Sequence, residues 1–133
     1  MVIPFYISFS QDEFADLDGG SVGARRDAIV DALETASRPV VDIDAFFGEV
    51  AEELAEFTDE STASRIVFGA ADWDGEDVTD GMRINTPDQV ASLAAVLDGL
   101  SLDDFTHVDE VEALSDFYVD AARRGDVVAV YLS

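Results

Sequence analysis

Cysteine and lysine are both absent from this chain, and each absence removes a body of chemistry. Without cysteine there are no disulfides, no thiolate nucleophile and no cysteine-bound zinc. Without lysine there is no Schiff base and no phosphate-loop lysine. Histidine occurs once, as His107 in "DFTHVDE", and no G-x-S-x-G motif accompanies it, so a hydrolase triad lacks both its base and its nucleophile turn. His107 reads as a helix-start residue among carboxylates. Long apolar runs are missing too. The longest, Val127 to Leu132, has six residues, against about 20 for a membrane span. No arginine precedes Arg25, so the amino terminus lacks the basic start of a secretory signal. The expectation is a cytoplasmic protein with no membrane contact.

Positive charge is the scarcest commodity. Seven arginines face 30 acidic residues, 20 Asp and 10 Glu, for a net charge of −23 over 133 residues. Direct nucleic-acid binding needs clustered Lys and Arg and is disfavoured. The preference for the short carboxylate and the loss of lysine point to a salt-adapted, halophilic protein with solvent cations around it. In molar salt the Debye length falls to about 3 Å, and such a surface no longer repels itself over longer distances. An acidic face for a basic partner and a nucleic-acid mimic are the competing readings.

Apolar residues still make up 48% of the chain, enough for one domain over residues 1–133 to form a core. "VIPFYISF" alternates, with Ile3, Phe5, Ile7 and Phe9 on one strand face. Ser10 and Glu13 then form a capping box, with Phe9 and Phe14 as staple, for a helix from Gln11 to about Leu17. Ser21 opens a second helix that ends before Pro39. Arg25 and Arg26 lie inside it, where neighbouring carboxylates are their expected partners. Val40, Val41 and Ile43 are extended or a connector. A third helix, about Ala45 to Phe57, sets Phe47, Val50, Leu54 and Phe57 in a buried stripe, with Phe46 off it as a contact candidate. "RIVFG" (Arg65 to Gly69) reads as a short strand or strand-like turn. "TPDQV" starts a fourth helix, with Thr86 as cap, Pro87 at its first position and Gln89 closing the box. The last helix, about Val108 to Arg124, ends on two arginines facing the negative end of the dipole and on Gly125 as a left-handed cap. "VVAVYL" follows as a central strand.

Two stretches resemble a known family. "FGAADWDGEDVTDGMRINTPDQVASLAAVLDGLS" and "FYVDAARRGDVVAVYL" are similar to the YfbM-like proteins of unknown function, over about two thirds of the chain. The interval "SLDDFTHVDEVEAL" is shorter than is usual in that family. The resemblance implies a compact α+β domain and lends no catalytic residue, because the family has no established activity. The expected fold is a small mixed sheet packed by about five helices, with the first and last strands in the same sheet.

No catalytic, cofactor-binding or metal-ligating residue is assigned. The loop Asp72–Asp80 alternates carboxylates around glycine, as calcium loops do, but counted from Asp72 Gly75 is fourth and Arg83 twelfth, so an EF-hand frame fails. A looser cation site there stays open. Trp73, the sole tryptophan, either folds onto the core or anchors a partner. The functional reading is a non-enzymatic interaction or regulatory module for an unknown protein partner, through Phe46 and Trp73. A small metal-dependent or carboxylate-based enzyme using Asp72–Asp80 is the alternative.

Overall fold

The computed structural model describes residues 3–35, 40–43, 46–73 and 82–132. Among these residues, five strands form one sheet in the order β2-β1-β5-β4-β3: β1 (Pro4–Phe9), β2 (Val40–Asp42), β3 (Ala71–Asp72), β4 (Met82–Asn85) and β5 (Val127–Leu132). The fold is α+β with the first and last strands in one sheet, as expected, and the two lie side by side. Every pairing is antiparallel, in place of the mixed sheet anticipated. The strand β5 is central because its first four residues are buried on both faces, which fits a nearly continuous apolar run.

Among the described residues, six α-helices cover the two faces: α1 (Gln11–Asp18), α2 (Val22–Thr35), α3 (Phe47–Phe57), α4 (Glu60–Phe68), α5 (Pro87–Asp98) and α6 (Val108–Arg124). The period-two pattern of the strands sorts the core. Ile7, Phe9, Val127, Ala129, Met82 and Ile84 pack with Ile29 and Ala32 of α2. Tyr6, Val128 and Val130 point the other way, into the layer of α3 to α6.

The helix ends follow local chemistry. Ser10 and Glu13 exchange backbone and side-chain bonds at the start of α1, and Thr86 and Gln89 form a capping box at α5. Gly125 takes φ +70° after the paired arginines. Arg124 Nε donates to Asp126 Oδ2 at 2.8 Å, and Arg123 approaches Asp120 at 3.5 Å. Arg25 differs from expectation. It donates to the carbonyls of Leu17 (2.9 Å), Asp18 (2.7 Å) and Trp73 (2.8 Å) instead of to carboxylates. These include orphan acceptors at the end of α1, which a planar fork of donors reaches together.

"RIVFG" is corrected most. Residues 65–68 are the last turn of α4, which buries Ala63, Ile66 and Val67 at helical spacing. Asp59 caps its start, accepting from Thr62 N at 2.7 Å and Thr62 Oγ1 at 2.9 Å. That backbone bond, more than any other contact, lowers the Asp59 carboxyl from its ordinary pKa. At its other end three buried side chains take three successive carbonyls. Asn85 Nδ2 donates to Arg65 O (2.9 Å), Tyr118 Oη to Ile66 O (2.7 Å) and Tyr6 Oη to Val67 O (2.7 Å). Asn85 Nδ2 also donates to Tyr118 Oη at 3.0 Å, and its Oδ1 accepts from Ala70 N at 3.0 Å. Burial holds both phenols above their ordinary pKa, with Tyr118 a lesser cause for Tyr6. Gly69 then turns the chain at φ +89°, where a Cβ would meet that of Arg83 at 2.9 Å.

Candidate functional site

The residues singled out separate cleanly. Trp73 goes inside, 3% exposed, with its ring centroid 5.8 Å from that of Phe14 and 6.3 Å from that of Phe9. Its indole Nε1 donates to Asp18 Oδ1 at 3.1 Å, and the Arg25 guanidinium lies 5.5 Å from its ring centroid. Phe46 stays outside, 43% exposed. Residues 74–80 of the acidic loop lie outside the described residues, and so does the cation reading that depends on them. Among the described residues, no group of three or more His, Cys, Asp or Glu side chains could hold a metal ion.

Phe46 is one end of a larger feature. Phe57 was placed in the buried stripe of α3, yet it is 43% exposed while Val50 and Leu54 are fully buried. As the final residue of α3 it projects past the edge of the core. Its ring leans on Phe105, with centroids 4.8 Å apart, and the Phe46 ring leans on His107 at the same separation. Phe46 is the N-cap residue of α3 and Phe57 its last, so the two bracket the helix, about three turns and roughly 16 Å of helix axis.

Between them runs the strap that joins α5 to α6, a 3-10 turn at Leu102–Asp104 followed by residues 105–107. The Glu53 carboxylate grips it, with Oε2 accepting from Thr106 N at 2.7 Å and Oε1 from His107 N at 3.1 Å. Three consecutive residues of the strap are thus held by Phe57 and Glu53 of α3 and by Phe46 at its N-cap. His107 is the N-cap residue of α6, but its side chain makes no capping bond. The carboxylate of Glu53 supplies the negative charge that a helix entry favours.

Beside the strap is an open groove of about 370 Å³, lined by Glu49, Glu52, Glu53, Glu56, Asp104, Thr106 and His107. The four glutamates make like-charge pairs at three- and four-residue spacing on α3, each unfavourable by about 0.2–0.5 kcal/mol in weak salt. The sequence reading missed Glu53, Phe57 and Phe105. A glutamate three or four residues from other glutamates was a legible signal of a charged face, but its strap partner lies 53 positions away.

These elements define a class: an α+β domain whose antiparallel sheet has its first and last strands adjacent, layered by helices on both faces. The chain is similar in structure to YfbM from Escherichia coli, a protein of unknown function, with a TM-score of 0.68 and 15% identity over 98% of this chain and 99% of that one. The fold is therefore YfbM-like. No protein-family model matches the sequence, and no curated protein does either. No helix among the described residues is long and apolar enough to cross a membrane.

Proposed function

We propose that this chain is a non-enzymatic interaction module that docks a protein partner on the α3 face, and that it works in a salt-rich cytoplasm. The carrying observation is the pair of half-exposed phenyl rings, Phe46 and Phe57, each backed by a second ring. Pre-seated aromatic rings lose little freedom on contact and are typical binding anchors. Trp73, the other residue considered as an anchor, supports the core instead. The partner segment that fits has two apolar groups spaced for the two ends of α3, about 16 Å of helix axis, and, between them, hydrogen-bond donors for Glu49, Glu52 and Glu56, arginine being the best suited.

The reading is tested by affinity capture in molar KCl with identification of what is retained. A specific protein held by the wild type, and lost at least tenfold by Phe46→Ala with Phe57→Ala, supports it. Equal retention by both, or no specific protein at all, contradicts it. The salt setting has its own test in near-UV circular dichroism at neutral pH. Tertiary signal is expected at about 3 M KCl and is expected to be weakened at about 20 mM, where screening is slight. Equal signal at both ends removes salt as the explanation of the charge.

A further inference from the structure

We propose that the strap before α6 is an ionic-strength-gated closure, seated on α3 in molar salt and released at lower salt while the sheet stays folded. Three observations converge on it. Among the described residues, the strap's polar hold on α3 is one carboxylate, Glu53, accepting from Thr106 N and His107 N. That carboxylate shares its groove with Glu49, Glu52, Glu56 and Asp104, none of which has an ion-pair partner among the described residues. The bonds themselves are at contact distance, so salt screens them little, whereas the like charges around Glu53 act over longer distances that salt does screen.

The consequence is asymmetric. Lowering the salt leaves the attraction nearly unchanged and raises the repulsion between Asp104, which the strap carries, and the glutamates of α3, a repulsion that release relieves. The other fastening of the same helical pair, at the end of α4, uses only neutral groups buried in the core: Tyr6, Tyr118 and Asn85. It has no comparable dependence. The strap therefore lets go first. Release uncovers Phe105, which is 5% exposed in the closed form, and takes away the surfaces that seat Phe46 and Phe57. The closure is a property of this chain alone and does not depend on the α3 face having a partner.

Amide hydrogen exchange read by NMR tests it on the whole protein. The salt series runs from about 3 M to about 0.3 M KCl, over which the Debye length grows from under 3 Å to roughly 6 Å. Protection at Thr106 and His107 should fall at least tenfold across the series while that of Tyr6 and Val128 holds. Parallel loss at all four amides, or unchanged protection of the strap, overturns the proposal. The surface variant Glu49→Gln with Glu52→Gln and Glu56→Gln keeps Glu53 and removes its neighbours' charge. It should keep the strap protected to the lowest salt. Loss of the strap at the same salt as the wild type refutes like-charge repulsion as the cause.

Discussion

The α3–α4 hairpin is fastened to the rest of the molecule at two helix ends, and the two fastenings are built from opposite materials. At the exit of α4, three buried neutral side chains donate to the carbonyls of Arg65, Ile66 and Val67. At the entry of α6, one charged and partly exposed carboxylate accepts from two backbone amides. Both satisfy groups that a helix end leaves without intrahelical partners or charge compensation. The buried joint draws its strength from low dielectric and from the cost of leaving any member unpaired. The exposed joint is cheaper to break, and its strength depends on what surrounds it. In a chain of net charge −23, what surrounds it is more carboxylate.

Breaking the buried joint should have the larger effect. Asn85→Ala removes a donor to Arg65 O, the contact to Tyr118 Oη and an acceptor for Ala70 N at once. Arg65 O keeps Gly69 N as donor and Ala70 N keeps Ile84 O as its other acceptor, so the loss is of three interior hydrogen bonds at about 1 kcal/mol each and should cost about 3 kcal/mol, read as a shift of the urea midpoint in molar KCl. The two phenols add a pH test of the same joint. Their folded pKa values lie above the ordinary value, so their contribution is fully present below about pH 10 and is lost as the pH rises further. Urea midpoints should therefore be level up to about pH 10 and fall above it, with Tyr118→Phe reducing the alkaline slope.

The exposed joint should yield less. Glu53→Ala in molar salt should cost about 1–2 kcal/mol, near the upper range for loss of a side-chain acceptor at a helix start. The smallest effect belongs to Asp59 at the start of α4. Its folded pKa is lowered, so what it contributes is present above the ordinary carboxylate range and fades as the pH falls through the lowered value. Amide exchange of Thr62 should quicken there, and Asp59→Asn should remove most of that acid dependence.

The contrast also explains what could be read from the sequence. Helix starts and stops carried by adjacent residues were legible: Ser10 with Glu13, Thr86 with Gln89, Arg124 with Gly125. The alternation of Phe5, Ile7 and Phe9 grouped one face of β1 but did not show that Tyr6 is buried on the other, and the apolar run from Val127 placed the central strand. Helix α4 was not legible as a helix because its β-branched pair, Ile66 and Val67, favours a strand locally. Its end is stabilised by Tyr6, Asn85 and Tyr118, which lie 20 to 61 positions away. The four-residue strand β4 has only Met82 and Ile84 as buried apolar residues, too few to show a period. At the candidate site Phe46 was visible as a residue off the stripe. Phe57 was misplaced because a helical pattern does not reveal where the core ends.

The most direct measurement is the cost of each joint as a function of salt. The destabilisation caused by Glu53→Ala and by Asn85→Ala would be compared between about 3 M KCl and the lowest concentration at which the wild type remains folded. The neutral joint should cost the same at both ends of the range. The charged joint should cost more at about 3 M, where the repulsion that offsets Glu53 is screened beyond about 3 Å, and less where it is not. A cost for Glu53→Ala that is flat or falls with rising salt, or an Asn85→Ala cost that varies just as much, would contradict the account.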